Sequence, residues 1–201
     1  MSAGAQLVVM VKHPELGRVK TRLAKGLGAV AAARFYRQTT DDVLRRVGDD
    51  PRWQTAVAVA PDRAVHERVF ARYGLPVLAQ GTGDLGVRMG RLMRDLPVGP
   101  VVIVGSDIPD ISAAHIAEAF KALGRHEAVF GPADDGGYWL VGLRRRPRIV
   151  DIFNDVRWSC EHTLDDTLRN VARAGLSVAM LGVLSDIDTR DDYLRWKARQ
   201  T

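Results

Sequence analysis

The apolar run Val101-Val102-Ile103-Val104 passes without a break into Gly105-Ser106-Asp107-Ile108-Pro109-Asp110. A strand that is apolar at every position is buried on both faces, which is chiefly a property of parallel sheets covered by helices. Leu7-Val8-Val9-Met10-Val11 has the same pattern. Further strands are expected over 55–60, 76–79, 128–130, 138–143 and 177–181. Between them the apolar period changes to that of helices. Phe35, Tyr36, Thr39, Val43, Leu44 and Val47 form one helical face. Other helices are expected over 64–73, with Val65, Val69, Phe70 and Tyr73 inward, and over 86–96. Three more follow Ser112, Ser159 and Thr189, of which Ser112 and Thr189 are natural N-caps. Strands alternating with helices predict one α/β domain over residues 1–201, a Rossmann-like three-layer α/β/α sandwich with a mostly parallel central sheet.

Composition removes several other classes. Hydrophobic residues make up 46% and charged residues 26% of the chain, enough apolar side chain to order a core. No apolar run approaches the roughly 18 residues that cross a bilayer. Leu7 to Val11 is too short for a signal-peptide core and runs directly into Lys12-His13-Pro14-Glu15. One cysteine cannot form an internal disulfide, so a cytoplasmic setting is expected. With 29 Lys and Arg against 24 Asp and Glu the net charge is +5. That excess suits an anionic small molecule rather than nucleic acid. The run Arg144-Arg145-Arg146-Pro147-Arg148 reads as a solvated turn, with no interleaved aromatics for base stacking.

In open α/β sheets ligands bind beyond the carboxyl ends of the strands, so the segments just after each strand carry the information. After the first strand come Lys12, Gly17, Arg18, Lys20 and Arg22, cations in a Gly-containing loop that leads into a helix. Such a loop holds phosphate by charge and by backbone N–H groups, although Pro14 and Val19 exclude a Walker-type loop. Gln80 precedes Gly81-Thr82-Gly83-Asp84-Leu85-Gly86, a formal dinucleotide fingerprint. It is set too late in the chain for a Rossmann cofactor site, and the glycines are read instead as room for a ligand to approach backbone. Asp107 at the tip of a buried strand is costly unless paired or metal-bound. Mg²⁺ or Mn²⁺ takes one or two such carboxylates together with ligand phosphates. Asp134-Asp135-Gly136-Gly137 is a turn or a site. In Ser185-Asp186-Ile187-Asp188-Thr189 the cap belongs to Thr189, which leaves Asp188 free for the crevice. Cys160, near an expected helix N-terminus, has no histidine to activate it.

In order along the chain, Lys12…Gly17-Arg18-Val19-Lys20-Thr21-Arg22-Leu23, Gln80…Gly83-Asp84-Leu85-Gly86…Arg88-Met89, Gly105-Ser106-Asp107-Ile108-Pro109, Asp135-Gly136-Gly137-Tyr138 and Asp186-Ile187-Asp188-Thr189 resemble a family of GT-A fold. It comprises the small stand-alone bacterial glycosyltransferase-like proteins of the nucleotide-diphospho-sugar transferase superfamily. Its relatives include phospholactate guanylyltransferases. The resemblance implies a GT-A sheet binding a nucleotide or nucleotide sugar at its carboxyl edge, with an unidentified small-molecule acceptor. Asp107 stands in for the Asp-X-Asp metal ligand, although this chain has a single acid there. Asp188 matches the late acid that completes the metal site, and Lys20 and Arg22 match the phosphate-holding loop.

The expected chemistry is metal-dependent transfer from a nucleoside diphosphate sugar. Asp107 and Asp188 hold Mg²⁺ or Mn²⁺, and Lys20 offsets the charge that develops on the diphosphate. Asp135 is the expected base, and Lys12, Gly17, Arg22, Gln80, Gly83 and Asp84 complete the nucleotide site. The alternative on the same residues is nucleotidyl transfer from an NTP to a phosphorylated acceptor, releasing pyrophosphate. A nucleotide-binding regulator without turnover and an NAD-linked oxidoreductase on the Gly81 loop rank below both.

Overall fold

The computed structural model describes residues 4–200. The chain begins with β1 (Gln6–Lys12), followed by α1 (Thr21–Leu27), α2 (Ala29–Val47) and β2 (Gln54–Ala60). Next come α3 (Arg68–Ala71), β3 (Val77–Ala79), α4 (Leu85–Asp95), β4 (Val101–Gly105) and α5 (Ala113–Leu123). The C-terminal part holds β5 (Ala128–Pro132), β6 (Tyr138–Leu143), α6 (Thr163–Arg173), β7 (Val178–Met180) and α7 (Arg190–Ala198). The seven strands form one sheet in the order β3-β2-β1-β4-β6-β5-β7. All pairs are parallel except those of β6, which runs antiparallel to both β4 and β5.

The unbroken apolar runs are explained by that order. β1 and β4 are central neighbours, and the alternating side chains of β1 enter opposite layers. Leu7, Val9 and Val11 join Val43, Leu44 and Ile116 from α2 and α5 on one face. Val8 joins Met89, Met93 and Val171 from α4 and α6 on the other. Each such side chain, fully buried, is worth about 1.5–3 kcal/mol in transfer free energy. β5 and β6 are antiparallel because the turn between them is short. Ala133 N–H donates to Gly137 O and Gly136 N–H to Ala133 O, at 3.0 and 3.4 Å.

Three local expectations are corrected. The helix expected over 64–73 is a 3₁₀ turn (Asp62–His66) and the single turn α3, broken at Glu67, which is extended. Ala64 and Phe70, each 2% exposed, explain the break. Residues six apart on an ideal helix point about 120° apart, so one helix could not bury both on one face. The helix expected from Ser159 starts at Thr163. Ser159 has φ +61°, and Thr163 Oγ1 donates to the carbonyls of Arg157 and Cys160, which forms a turn instead. Cys160 is therefore exposed outside the helix. Finally, the basic run is not wholly solvated. Arg145 is buried, and its guanidinium donates to the carbonyls of Met93, Leu96, Pro97 and Gly99, where α4 ends. A cation suits the negative end of a helix.

Candidate active site

The site forms where β1 and β4 end side by side. Tyr36, one-third along α2, ties the two tips together. Its hydroxyl accepts from Lys12 N–H at 2.8 Å, lies 3.1 Å from Lys12 O as donor, and is 3.3 Å from Ser106 Oγ. Thr40 Oγ1 donates to the same serine at 3.4 Å. Burial pushes the Tyr36 hydroxyl up, so it is a neutral brace rather than an acid.

From Lys12 the chain loops back to α1. Val19 is buried against Ala33 and Tyr36, which anchors the loop, while Gly17 turns with φ +76°. Lys20, at the N-cap of α1, has φ +45° and ψ +49°, the left-handed region. A non-glycine residue held there is strained by about 1–2 kcal/mol, and such strain persists where the surroundings over-determine it. The surroundings here are two carboxylates. Lys20 Nζ lies 3.0 Å from Asp107 Oδ2 and 2.8 Å from Asp188 Oδ1, with its side chain only 3% exposed. Burial opposes its charge, but attraction to Asp107 and Asp188 outweighs burial and holds the ammonium above the usual lysine range. Arg22 NH1 approaches Asp188 Oδ2 at 3.6 Å from the open side.

Asp188 is positioned by the sequence around it. Ile187 is buried against Leu23, Ala32 and Phe35, and its two flanking acids, Asp186 and Asp188, line the cleft. Thr189 caps α7, with Asp192 completing the capping box and accepting from Asp188 N–H at 3.2 Å. Asp186 is half-buried. Burial first, and then the charges of Asp188, Asp107 and Asp135, push its carboxyl up to about 7 against the opposing pull of Lys20.

These groups line a cleft of about 700 Å³. Lys12, Arg18, Lys20, Arg22 and Arg88 make a cationic wall on the β1–β3 side. Met10, Met89, Ile103 and Val141 form the apolar floor, and Tyr138, Trp158 and Asp186 stand on the β6–β7 side. Gly86 permits this closeness. A Cβ there would lie 2.5 Å from the Trp158 ring.

The residues singled out from sequence fall into two groups. Lys12, Lys20, Arg22, Asp107 and Asp188 converge in the cleft. Gln80 and Asp84 also reach it, but as scaffold. Gln80 is buried and spends its amide nitrogen on Val11 O and Ala58 O, at 3.2 and 2.8 Å. Asp84 caps α4 by accepting from Val87 N–H at 2.8 Å. Gly83, with φ +101°, offers its carbonyl to Arg88 Nε at 2.9 Å. Asp135 sits in the β5–β6 turn, its Oδ1 accepting from Gly137 N–H at 2.8 Å and its charge reaching Asp186. The fingerprint loop follows β3, an edge strand, rather than the central strand a dinucleotide site uses. Arg18 joins them from the cationic loop read in the sequence, whereas Asp186, Arg88 and the Tyr36–Ser106 brace were given no role from sequence. The apolar centre of Asp186-Ile187-Asp188 was the signal for Asp186, whereas the brace joins residues 70 positions apart and leaves none.

The donor set suits a hard divalent ion. Among the described residues no group of three or more His, Cys, Asp or Glu side chains is arranged to hold a metal. Mg²⁺, however, commonly uses one or two carboxylates and completes its shell with ligand phosphate and water. Asp107 and Asp188 are such a pair. Each keeps one oxygen that Lys20 does not engage, that of Asp188 lying 3.6 Å from Arg22 NH1.

Residues 43–160 match a protein family described as "Uncharacterized protein conserved in bacteria (DUF2064)". No curated protein matches the chain. Among solved structures, a candidate nucleotide-diphospho-sugar transferase from Desulfovibrio desulfuricans G20 is 32% identical, with a TM-score of 0.84 over 92% of this chain and 82% of that one. Two more distant structures share the fold. A 4-diphosphocytidyl-2C-methyl-D-erythritol synthase from Anaerococcus prevotii is 11% identical, with a TM-score of 0.64 over 98% of both chains. Glucosyl-3-phosphoglycerate synthase from Mycobacterium tuberculosis, in complex with Mn²⁺, UDP-glucose and phosphoglyceric acid, is 13% identical. It superposes with a TM-score of 0.61 over 99% of this chain and 77% of that one.

Proposed function

The chain belongs to the bacterial DUF2064 family, and from that premise and the geometry of the cleft we propose that it is a transferase using a nucleoside diphosphate sugar, with Mg²⁺ or Mn²⁺ as cofactor. One observation carries the reading. A buried ammonium, Lys20, is gripped by Asp107 and Asp188 at the carboxyl edge of two central parallel strands, where open α/β sheets bind ligands. The 32% identical relative, described as a candidate nucleotide-diphospho-sugar transferase, supports the sugar donor. The Mn²⁺ and UDP-glucose in a distant structure of the same fold support the cofactor.

In this reading the cationic wall receives the diphosphate. Lys20 is the central contact, with Lys12, Arg18 and Arg22 around it. Fixed positive charge where negative charge grows lowers the barrier without reorganisation during the reaction. Asp107 and Asp188 would hold the divalent ion, which when bound adds Lewis-acid neutralisation of the leaving diphosphate. The acceptor hydroxyl would enter opposite the cationic wall, on the β6–β7 side, and give its proton to a carboxylate there. Asp186, which lines the cleft, is the candidate we put first for this task, with Asp135, whose charge reaches Asp186, as the other.

A second reading, nucleotidyl transfer from an NTP with release of pyrophosphate, is favoured by a different observation. The synthase whose name carries a diphosphocytidyl group overlays 98% of both chains. A single incubation separates the two. The protein is supplied with Mn²⁺, nucleotide sugars or NTPs, and a panel of hydroxylated and phosphorylated acceptors. Release of a nucleoside diphosphate that disappears in Asp107→Asn is expected. Pyrophosphate release from an NTP, with no turnover of any nucleotide sugar, overturns the sugar-transfer reading in favour of the second.

A further inference from the structure

Lys20 occupies the space between the two carboxylates that the proposed function assigns to a metal. Its ammonium is 3.0 Å from one and 2.8 Å from the other, and almost no solvent reaches it. The backbone is strained to put it there, with φ +45° on a non-glycine residue. A dication close to the same oxygens would face a buried positive charge at van der Waals range, and repulsion at that distance is large where water is excluded. An ammonium and a divalent ion are therefore rivals for Asp107 and Asp188.

We propose that Lys20 is the site's own placeholder cation, which binds Asp107 and Asp188 until a diphosphate arrives and then transfers to the phosphate oxygens, freeing the carboxylates for the metal. The inference rests on the assignment of Asp107 and Asp188 as metal ligands. It adds a rule of binding order to that assignment. The metal alone binds weakly, the diphosphate relieves the block, and each ligand strengthens the other by the same factor, as reciprocity requires. The strong hydrogen bonds from Lys20 also hold the two carboxylates together without a metal.

The test measures Mn²⁺ binding to the full chain by electron paramagnetic resonance, with Mn²⁺ alone and with the preformed Mn²⁺–pyrophosphate complex. Wild type should bind Mn²⁺ alone weakly and the complex much more tightly. Lys20→Met should bind Mn²⁺ alone about tenfold more tightly than wild type, within the usual range of coupling between sites, and should narrow the gap between the two probes. Lys20→Arg, which keeps the charge, should stay weak toward Mn²⁺ alone. Equal or weaker Mn²⁺ binding by Lys20→Met, or equal gains in Lys20→Met and Lys20→Arg, overturns the placeholder role. In wild-type protein the ¹⁵Nζ resonance of Lys20 should shift with Mg²⁺–pyrophosphate and stay put with Mg²⁺ alone. That measurement decides the matter even if Lys20→Met fails to fold, because a resonance indifferent to both probes overturns the inference. Asp107→Asn separates the two levels of the argument. If it binds Mn²⁺ and the complex as wild type does, the metal assignment itself is wrong. If it loses them while Lys20→Met gains nothing, only the placeholder role fails.

Discussion

At the scale of single residues the cleft assigns its carboxylates unequal jobs. Asp107 and Asp188 share Lys20, while Asp84 gives one oxygen to a helix cap and Asp135 one oxygen to its own turn. Asp186 lines the cleft and makes no ion pair among those of the described residues. A group left free in this way is available to a substrate hydroxyl. Removing a general base costs about 10²–10⁴-fold in rate. Asp186→Asn should therefore lower kcat by about that factor with little change in KM, whereas Asp135→Asn should lower it less than tenfold. Steady-state kinetics on the donor–acceptor pair found by the incubation above measures both. A larger loss in Asp135→Asn would return the base to the position expected from sequence. The residue types were legible in the sequence because strand tips in a parallel sheet face a crevice, so acids and lysines there stand out. Their division of labour was not. Whether a carboxylate caps a helix, closes an Asx turn or faces a ligand depends on a few ångströms of backbone that no spacing rule encodes.

At the scale of elements the continuous apolar strands and long amphipathic helices could be read directly, since burial on both faces leaves no alternative to a covered sheet. The failures were short elements whose form is set by distant partners. Ala64 and Phe70 break a helix by both entering the core, and Ser159 to Thr163 is a turn built on side-chain to backbone bonds. Arg145 is the sharpest case. In sequence it belongs to a basic run, yet in the fold it ends α4 by bonding four carbonyls. Burial lowers its pKa, and no carboxylate accompanies it in those contacts. Its worth is therefore that of carbonyls which would otherwise be buried without donors, at about 1–3 kcal/mol each before water re-enters. Arg145→Leu should destabilise the protein by about 2–4 kcal/mol after such relaxation. Arg146→Leu beside it, being exposed, should change stability by less than about 0.5 kcal/mol. Urea midpoints with unchanged m-values would establish this contrast, and equal effects would mean that the Arg145 contacts are not maintained in solution.

At the scale of the whole molecule the net charge of +5 and the placement of the cleft's charges act together. The cations of the cleft come from the segments after β1 and β3 and its acids from those after β4 and β7, with Lys20 and Arg22 meeting Asp188 where the two sets join. Two of those cations differ sharply in how much water surrounds them. Lys20 is 3% exposed and Arg22 is 72% exposed, and both approach Asp188. At 1 M ionic strength the screening length falls to about 3 Å, which erases interactions between exposed charges and leaves those between buried ones. Diphosphate affinity in EDTA, measured by calorimetry at low and high NaCl, should therefore separate them. The loss caused by Arg22→Ala, several-fold at low salt, should fade toward none at about 1 M NaCl. The loss caused by Lys20→Ala should be about 10- to 100-fold, the size of a charged hydrogen bond, and should persist across the whole range. Parallel fading of both losses would mean that Lys20 meets the phosphate in open water, and the buried ion pairs on which its central role depends would not describe the working site.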